Sequence, residues 1–443
     1  MQTSKQYRIS SEKPRTHAFS KSSITGQASV IGIILTIVTI LICGKTETKR
    51  QKMDLRKSSA LLVVVLGLLS CHVEAQSVET KCQTGKYPPD PKTKVGTFVI
   101  NLDLPPEQRW TELAKAKGPQ IRYLIDGFKE FIKDFGNASK YIIDFVDSQG
   151  ASLDKTLPYP FGGELKGISA ATGMNLGEVV LYNLFYEFFT VCTSIVAEDS
   201  TGKLYHARNL DFGLFMGWDV KNKTWAITER LRPLIVNLDW QRKGKTVFKS
   251  VNYAGFVGIL TAIKPNLFTF SMDERFNIDG GFIGIIKWLL GNHNQTWMGF
   301  LTRDVMENAT SYTEAQIKLQ KTVMLAPAYF ILGGNKPGQA SVITRSRDSA
   351  LDTWPMANAS KWYILETNYD HWEAPLFLDD RRTPAHKCMD KMEQKNAGFS
   401  GIFNVLSSEP MLNKLTTYTA LMQVDAGSLE TYIQDCKDPC TPW

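Results

Sequence analysis

The sequence predicts an α+β layered fold, and two observations carry that class. Ahead of Cys192 the chain reads as helical from 107 to 191, and after it short strand-like runs follow in hairpin succession, with helical stretches grouped between them. That succession disfavours a doubly wound fold, and neither an internal repeat nor a glycine-rich phosphate loop is present. Gly333-Gly-Asn-Lys-Pro-Gly338 lacks the required spacing and reads as a turn joining two strands.

Taken in order, residues 76–106 are rich in Pro and Lys and read as extended. Ile121, Leu124, Ile125, Phe128, Phe131, Ile132 and Phe135 recur at helical spacing, with Lys129, Glu130, Lys133 and Asp134 on the opposite face. Such a stripe is most often core; in a lipid-handling protein the alternative is the lining of an acyl channel or a bilayer contact. A second apolar helical run, Val179–Val191, ends at Cys192, which opens the strand-like Thr193–Ala197. Further strand-like runs are Leu204–Asn209, Leu234–Trp240, Thr246–Tyr253, Val257–Ile263, Phe268–Met272, Tyr329–Leu332, Ser341–Thr344 and Trp362–Thr367. Arg242-Lys-Gly-Lys245 and Lys264-Pro-Asn266 read as turns, and helices recur at Gly284–Leu290, Trp297–Glu307 and Tyr312–Thr322.

At 443 residues, 43% hydrophobic and 21% charged, the chain is neither disordered nor fibrous. Its net charge of +7 invites a nucleic-acid partner until it is located. Residues 1–75 hold 11 basic and four acidic residues, which is the whole excess; everything after is formally neutral. Charge therefore gives no reason to expect nucleic acid.

That basic segment reads as targeting sequence. From Met53 a basic start, an apolar core over Ala60–Leu69 and a small residue at Ala75 describe a signal peptide over 53–75, cut before Gln76. Upstream, Ala28–Gly44 is apolar for 17 residues, the short limit for a membrane span. Residues 1–52 are thus either a signal-anchor or an extension ahead of a start at Met53, and the second is favoured. Five N-x-Ser/Thr sequons, at Asn137, Asn222, Asn294, Asn308 and Asn358, predict a secreted glycoprotein.

Five of the seven cysteines follow Gln76, an odd number, so one is left as a free thiol. Cys436 and Cys440 bracket Lys-Asp-Pro and are expected to pair locally. Cys82 and Cys388, in polar surroundings, look exposed enough to oxidise. Only four histidines follow Gln76, without ligand-like spacing, so neither a metal nor another cofactor is expected. Cys192 by position alone reads as a small buried hydrophobe.

Its surroundings change that reading. Val191-Cys-Thr-Ser-Ile-Val-Ala-Glu-Asp and Tyr205-His-Ala-Arg-Asn-Leu-Asp-Phe-Gly213 resemble the N-terminal nucleophile hydrolases and, within them, the acid ceramidases. Asn101-Leu-Asp-Leu-Pro-Pro106, Leu325-Ala-Pro-Ala-Tyr-Phe-Ile-Leu-Gly-Gly334, Glu366-Thr-Asn-Tyr-Asp370, Asp379-Asp-Arg-Arg-Thr-Pro384 and the Cys436/Cys440 pair extend the likeness from about Lys81 to Trp443.

The resemblance implies an αββα sandwich of antiparallel sheets, and a precursor that cuts itself at Val191–Cys192. The products would be a mainly helical α-chain, 76–191, and a catalytic β-chain, 192–443, held as a heterodimer. The freed α-amine would serve as base for its own thiol. Asp211 would hold the α-ammonium or the nucleophile, Arg208 would orient that cluster, and Asn368 would stabilise the oxyanion. Arg381 would be the further arginine, unless Arg382 takes that place; Arg382 is otherwise expected to pair with Asp379 or Asp380. Taken alone, an Arg and an Asp three apart are more often a surface ion pair. A Cys82–Cys388 bridge would join the two chains. The implied activity is hydrolysis of ceramide to sphingosine and fatty acid in the lysosome, with part secreted and with transient membrane contact aided by a lipid-activator protein. The alternatives are an N-acylethanolamine-hydrolysing acid amidase and an inactive lipid-binding relative.

Overall fold

The computed structural model describes residues 80–133, 157–186, 190–213, 216–275, 288, 294–359 and 361–442. The signal peptide expected over 53–75, the stretch 1–52 ahead of it, the sequon at Asn137 and nearly all of the helix expected over Gly284–Leu290 lie outside them.

The helices are α1 (Thr111–Lys133), α2 (Phe161–Thr172), α3 (Leu176–Phe185), α4 (Ala226–Leu231), α5 (Met298–Asn308), α6 (Tyr312–Lys321), α7 (Arg382–Met392) and α8 (Phe399–Leu406). The first strands are β1 (Thr97–Asn101), β2 (Thr190–Glu198), β3 (Leu204–Phe212), and the short pair β4 (Trp218–Asp219) and β5 (Thr224–Trp225). Then come β6 (Ile235–Arg242), β7 (Lys245–Tyr253), β8 (Thr261–Lys264), β9 (Phe268–Glu274) and β10 (Ala328–Gly333). The last are β11 (Ala340–Arg345), β12 (Ala350–Pro355), β13 (Tyr363–Glu366), β14 (Thr416–Gln423) and β15 (Ser428–Ile433).

Two sheets stack face to face between helices, which is the αββα arrangement. One has the order β1-β6-β7-β8-β9-β10-β11-β12, the other β13-β2-β3-β14-β15. Every pairing is antiparallel except that of β1 with β6, which is parallel. The pleat assigns alternate residues to opposite faces. On β2, Ile195 and Ala197 join Cys388, Met389, Ile402 and Phe403 in a core beneath α7 and α8. Val196 points the other way, packing with Tyr329, Ile331 and Val342 between the sheets. Phe270 and Met272 of β9 face the helical layer, which leaves Thr269, Ser271 and Asp273 for the space between the sheets.

Ile121, Leu124, Ile125 and Phe128 of α1 are buried, so this part of the stripe is core; the side chains of Phe131, Ile132 and Phe135 lie outside the described residues. Lys129 pairs with Glu178 and Glu130 with Arg230, which turns the polar face into links to neighbouring segments. A capping box starts α3: the Asn175 side chain accepts from Gly177 N at 2.8 Å, and Glu178 Oε2 accepts from Asn175 N at 3.1 Å.

Two expectations about elements change. The strand read over Val257–Ile263 shortens to β8, because Gly255 turns the chain at φ 89°, a conformation that favours glycine. Asn183 then holds this turn, accepting from Val257 N and donating to the Gly255 carbonyl. Cys192 does not open its strand. β2 begins at Thr190, and Val191 pairs with Asp211. In the uncut chain the expected cleavage bond therefore runs through a central strand.

The disulfides are Cys82–Cys388 and Cys436–Cys440, with Cα separations of 5.4 and 6.0 Å. Cys388 is buried under α8 rather than exposed: its place on the inward face of α7 overrides its polar sequence neighbours. Among the described residues Cys192 is the free cysteine, and no helix is long and apolar enough to cross a membrane.

Candidate active site

Cys192 lies on the face of β2 that looks between the sheets, two residues before Ser194 and opposite Leu210 of β3. Its thiol is fully buried. Arg208, the cross-strand partner of Ser194, reaches the same space and donates from Nη2 to Cys192 Sγ. Its Nη1 donates to the carbonyls of Leu260 and Met272, each at 2.9 Å, so the guanidinium is fixed by the backbone of the opposing sheet.

Arg208 and Asp211 do not pair with each other, and neither is at the surface. A strand separates residues three apart onto opposite faces. Asp211 pairs in register with Val191 and Arg208 with Ser194. Asp211 Oδ2 accepts from Asn413 Nδ2 at 3.1 Å and lies 3.9 Å from Arg381 Nη1. Arg208 instead stands 3.3 Å from Asp273 Oδ1.

Arg381 and Asn368 grip the backbone of Cys192. Arg381 Nη1 donates to the Cys192 carbonyl, and its Nη2 donates to Asn368 Oδ1 at 2.8 Å. Asn368 Oδ1 also accepts from Cys192 N at 2.8 Å, while Nδ2 donates to the Glu274 carbonyl at 2.6 Å. Within the arginine doublet it is Arg381 that reaches the site, braced by Asp379 at 2.7 Å. Arg382 pairs with neither Asp379 nor Asp380; it donates to the carbonyls of Tyr369, Asp370 and Glu373. Being one residue on at the start of α7, it points away from β2 and ties down the preceding loop.

The five residues expected at the site, Cys192, Arg208, Asp211, Asn368 and Arg381, thus converge from β2, β3, the end of β13 and the start of α7. Asp273, at the end of β9, is a sixth that the sequence reading missed. Only the antiparallel pairing of β9 with β8 and its place opposite β2 bring it there. A signal was available: an Asp in an otherwise apolar and hydroxyl-bearing strand implies a buried partner.

Burial dominates the electrostatics. It pushes the Cys192 thiol well above its ordinary value, with Arg208 pulling the other way. Asp211 rises to about 6 on burial, opposed by Arg381, and Asp273 to about 6, opposed by Arg208. Glu366, buried beside Asn368, is pushed up to about 8. A thiol held against an arginine, with carboxyls poised near neutrality, is equipped for nucleophilic attack on an acyl carbon.

The comparisons with known proteins agree with this chemistry. The model for linear amide C–N hydrolases of the choloylglycine hydrolase family matches residues 192–437, beginning at Cys192 itself. The model for the beta subunit of N-acylethanolamine-hydrolyzing acid amidase matches residues 93–157. Acid ceramidases of Pan troglodytes and Homo sapiens are each 49% identical over 393 residues, covering 87% of this chain and 99% of each relative. A solved structure of a Caenorhabditis elegans N-acylethanolamine-hydrolyzing acid amidase ortholog is 29% identical with a TM-score of 0.47, covering 55% of this chain and 100% of that one. This chain belongs to the acid ceramidases, within the choloylglycine hydrolase family of linear amide C–N hydrolases.

Proposed function

We propose that the chain is a secretory precursor that cuts itself between Val191 and Cys192 and then hydrolyses ceramide to sphingosine and a fatty acid. The observation that carries this is the Cys192 thiol, packed against Arg208 in a chain 49% identical to acid ceramidases along nearly their full length. In the uncut chain the thiol is buried and Cys192 N is an amide, so it has neither access to substrate nor its own base. Cutting removes both obstacles. The new α-amine takes the thiol proton, the thiolate attacks the substrate carbonyl, and the amine leaves from an acyl-enzyme that water then hydrolyses.

In this scheme Asp211, near the backbone of Cys192, holds the α-ammonium. Arg208 stabilises the thiolate, Arg381 fixes the Cys192 carbonyl, and Asn368 turns its amide toward the oxyanion. The α-chain, 76–191, stays bound to the β-chain, 192–443, through Cys82–Cys388. Glycans at the exposed Asn222, Asn294 and Asn308 suit passage through the secretory pathway to the lysosome. A membrane-bound substrate calls for transient bilayer contact, with a lipid-activator protein to lift it.

A second reading, hydrolysis of N-acylethanolamines, is favoured by the match over residues 93–157. Turnover of labelled ceramide against a labelled N-acylethanolamine by the purified two-chain protein decides between them. Hydrolysis of neither would leave a lipid-binding relative.

A further inference from the structure

Resting on the self-cleavage just proposed, we infer that Asp273 is a catalytic residue of that first cut, the base that takes the Cys192 thiol proton in the uncut chain. The mature enzyme has its α-amine for this task, but the precursor does not. Before the cut, Cys192 N is a peptide nitrogen donating to Asn368 Oδ1, and another group must accept the proton.

The pleat of β2 narrows the choice. Asp211 pairs with Val191 and lies on the face bearing Arg381, away from the thiol. Asp273 comes from the opposing sheet onto the thiol's own face. Its Oδ1 lies 3.3 Å from Arg208 Nη2, the same nitrogen that donates to Cys192 Sγ, so one guanidinium nitrogen holds both carboxylate and thiol. His206, the nearest histidine, is no competitor. It sits two hydroxyls behind Asp273, through Ser271 at 2.9 Å and Ser194 at 2.9 Å, and burial pushes it down to about 3. Ser194 Oγ donates to Asp273 Oδ1 at 2.8 Å, a bond that favours the ionised carboxylate a base requires.

The step balances without a co-reactant other than water. The S–H bond breaks and its proton moves to the Asp273 carboxylate, and the thiolate adds to the Val191 carbonyl carbon. The C–N bond to Cys192 then breaks, its nitrogen taking a proton and the carboxyl returning to carboxylate. This leaves a thioester between Val191 and Cys192 Sγ. Water hydrolyses it, its hydroxyl completing the Val191 carboxyl and its proton restoring the thiol. Arg208 stabilises the sulfur charge throughout.

The test is the rate of cutting in full-length Asp273→Asn and Asp273→Glu precursors, followed on gels with N-terminal sequencing of the smaller-numbered break. Asp273→Asn keeps the shape but cannot accept a proton, and should cut at least 100-fold more slowly. Asp273→Glu keeps a carboxylate and should cut at a rate within 30-fold of the parent. Equal behaviour of the two variants, whether both cut or neither, would overturn the role of Asp273. If the parent chain, purified alone, stays whole or is opened anywhere but before Cys192, the self-cleavage reading itself fails, and the proposal with it.

Discussion

Two buried ionic clusters can be compared, one at Cys192 and one at Glu164. In the second, Glu164 accepts from Arg109 Nη1 at 3.0 Å, Trp110 Nε1 at 2.7 Å and both terminal nitrogens of Arg303 at 3.1 and 3.3 Å. Arg303 is further held by Glu307 at 2.6 Å and lies 3.7 Å over the Trp240 ring. Both oxygens of that carboxylate are satisfied. In the first cluster Arg208 Nε, Asp273 Oδ2 and Glu366 Oε2 have no hydrogen-bond partner although they are buried. A finished network fixes structure; an unfinished one keeps polar capacity for a rearranged or substrate-bound state. The Glu164 cluster also joins residues on both sides of Cys192 in the chain, which suits it to hold the halves together once the strand is cut.

The sharpest break in the comparison is Cys192→Ala, which should leave one uncut chain and abolish amide hydrolysis; two chains on a gel would falsify self-cleavage. Next, Glu164→Gln should act on stability alone. Removing one partner of a buried ion pair costs about 3–5 kcal/mol, visible as a lowered urea midpoint, while kcat of the surviving enzyme stays unchanged. A fall in kcat without a fall in stability would erase the distinction between the clusters. Asn368→Ala should still cut in part but lose about 10²–10³-fold in turnover, the usual cost of one oxyanion donor. Unchanged turnover removes Asn368 from that role.

The smallest effect is a pH dependence. Burial holds Glu366 at about 8 in the folded chain, against about 4.3 unfolded. Between these values the folded state binds one proton more, so its stability is greatest at acidic pH and is lost as pH rises through 8. Glu366→Gln keeps the neutral form, and its advantage over the parent should grow by about 1.4 kcal/mol for each pH unit between about 5 and 8 and level off above that. His206, pushed down by burial, has the opposite dependence but is common to both proteins and cancels. Parallel urea curves at pH 5 and 7.5, with the same difference between the proteins at both, would rule out a protonated Glu366.

Much of this was legible in the sequence because it is local. Strand-like runs marked β3, β6, β7, β9 and β10, helical stretches marked α5 and α6, and an apolar stripe at helical spacing marked α1. β14, buried at all eight positions, was not read as a strand. The odd cysteine count predicted a free thiol, and the structure identifies it as Cys192. Cys388 was misjudged because burial depends on what packs over a residue, which its polar sequence neighbours do not reveal.

The sequence by itself determined the layered class, the balanced charge after residue 75, and a set of five residues whose types already imply thiol chemistry. Tertiary structure alone decided which side of β2 each one serves. The pleat sends Arg208 to the thiol and Asp211 to the backbone, and the stacking of β9 on β2 adds Asp273. Residues 192 and 273 stand 81 positions apart in the chain, and only the pairing of sheets, driven by burial of their shared face, makes them neighbours.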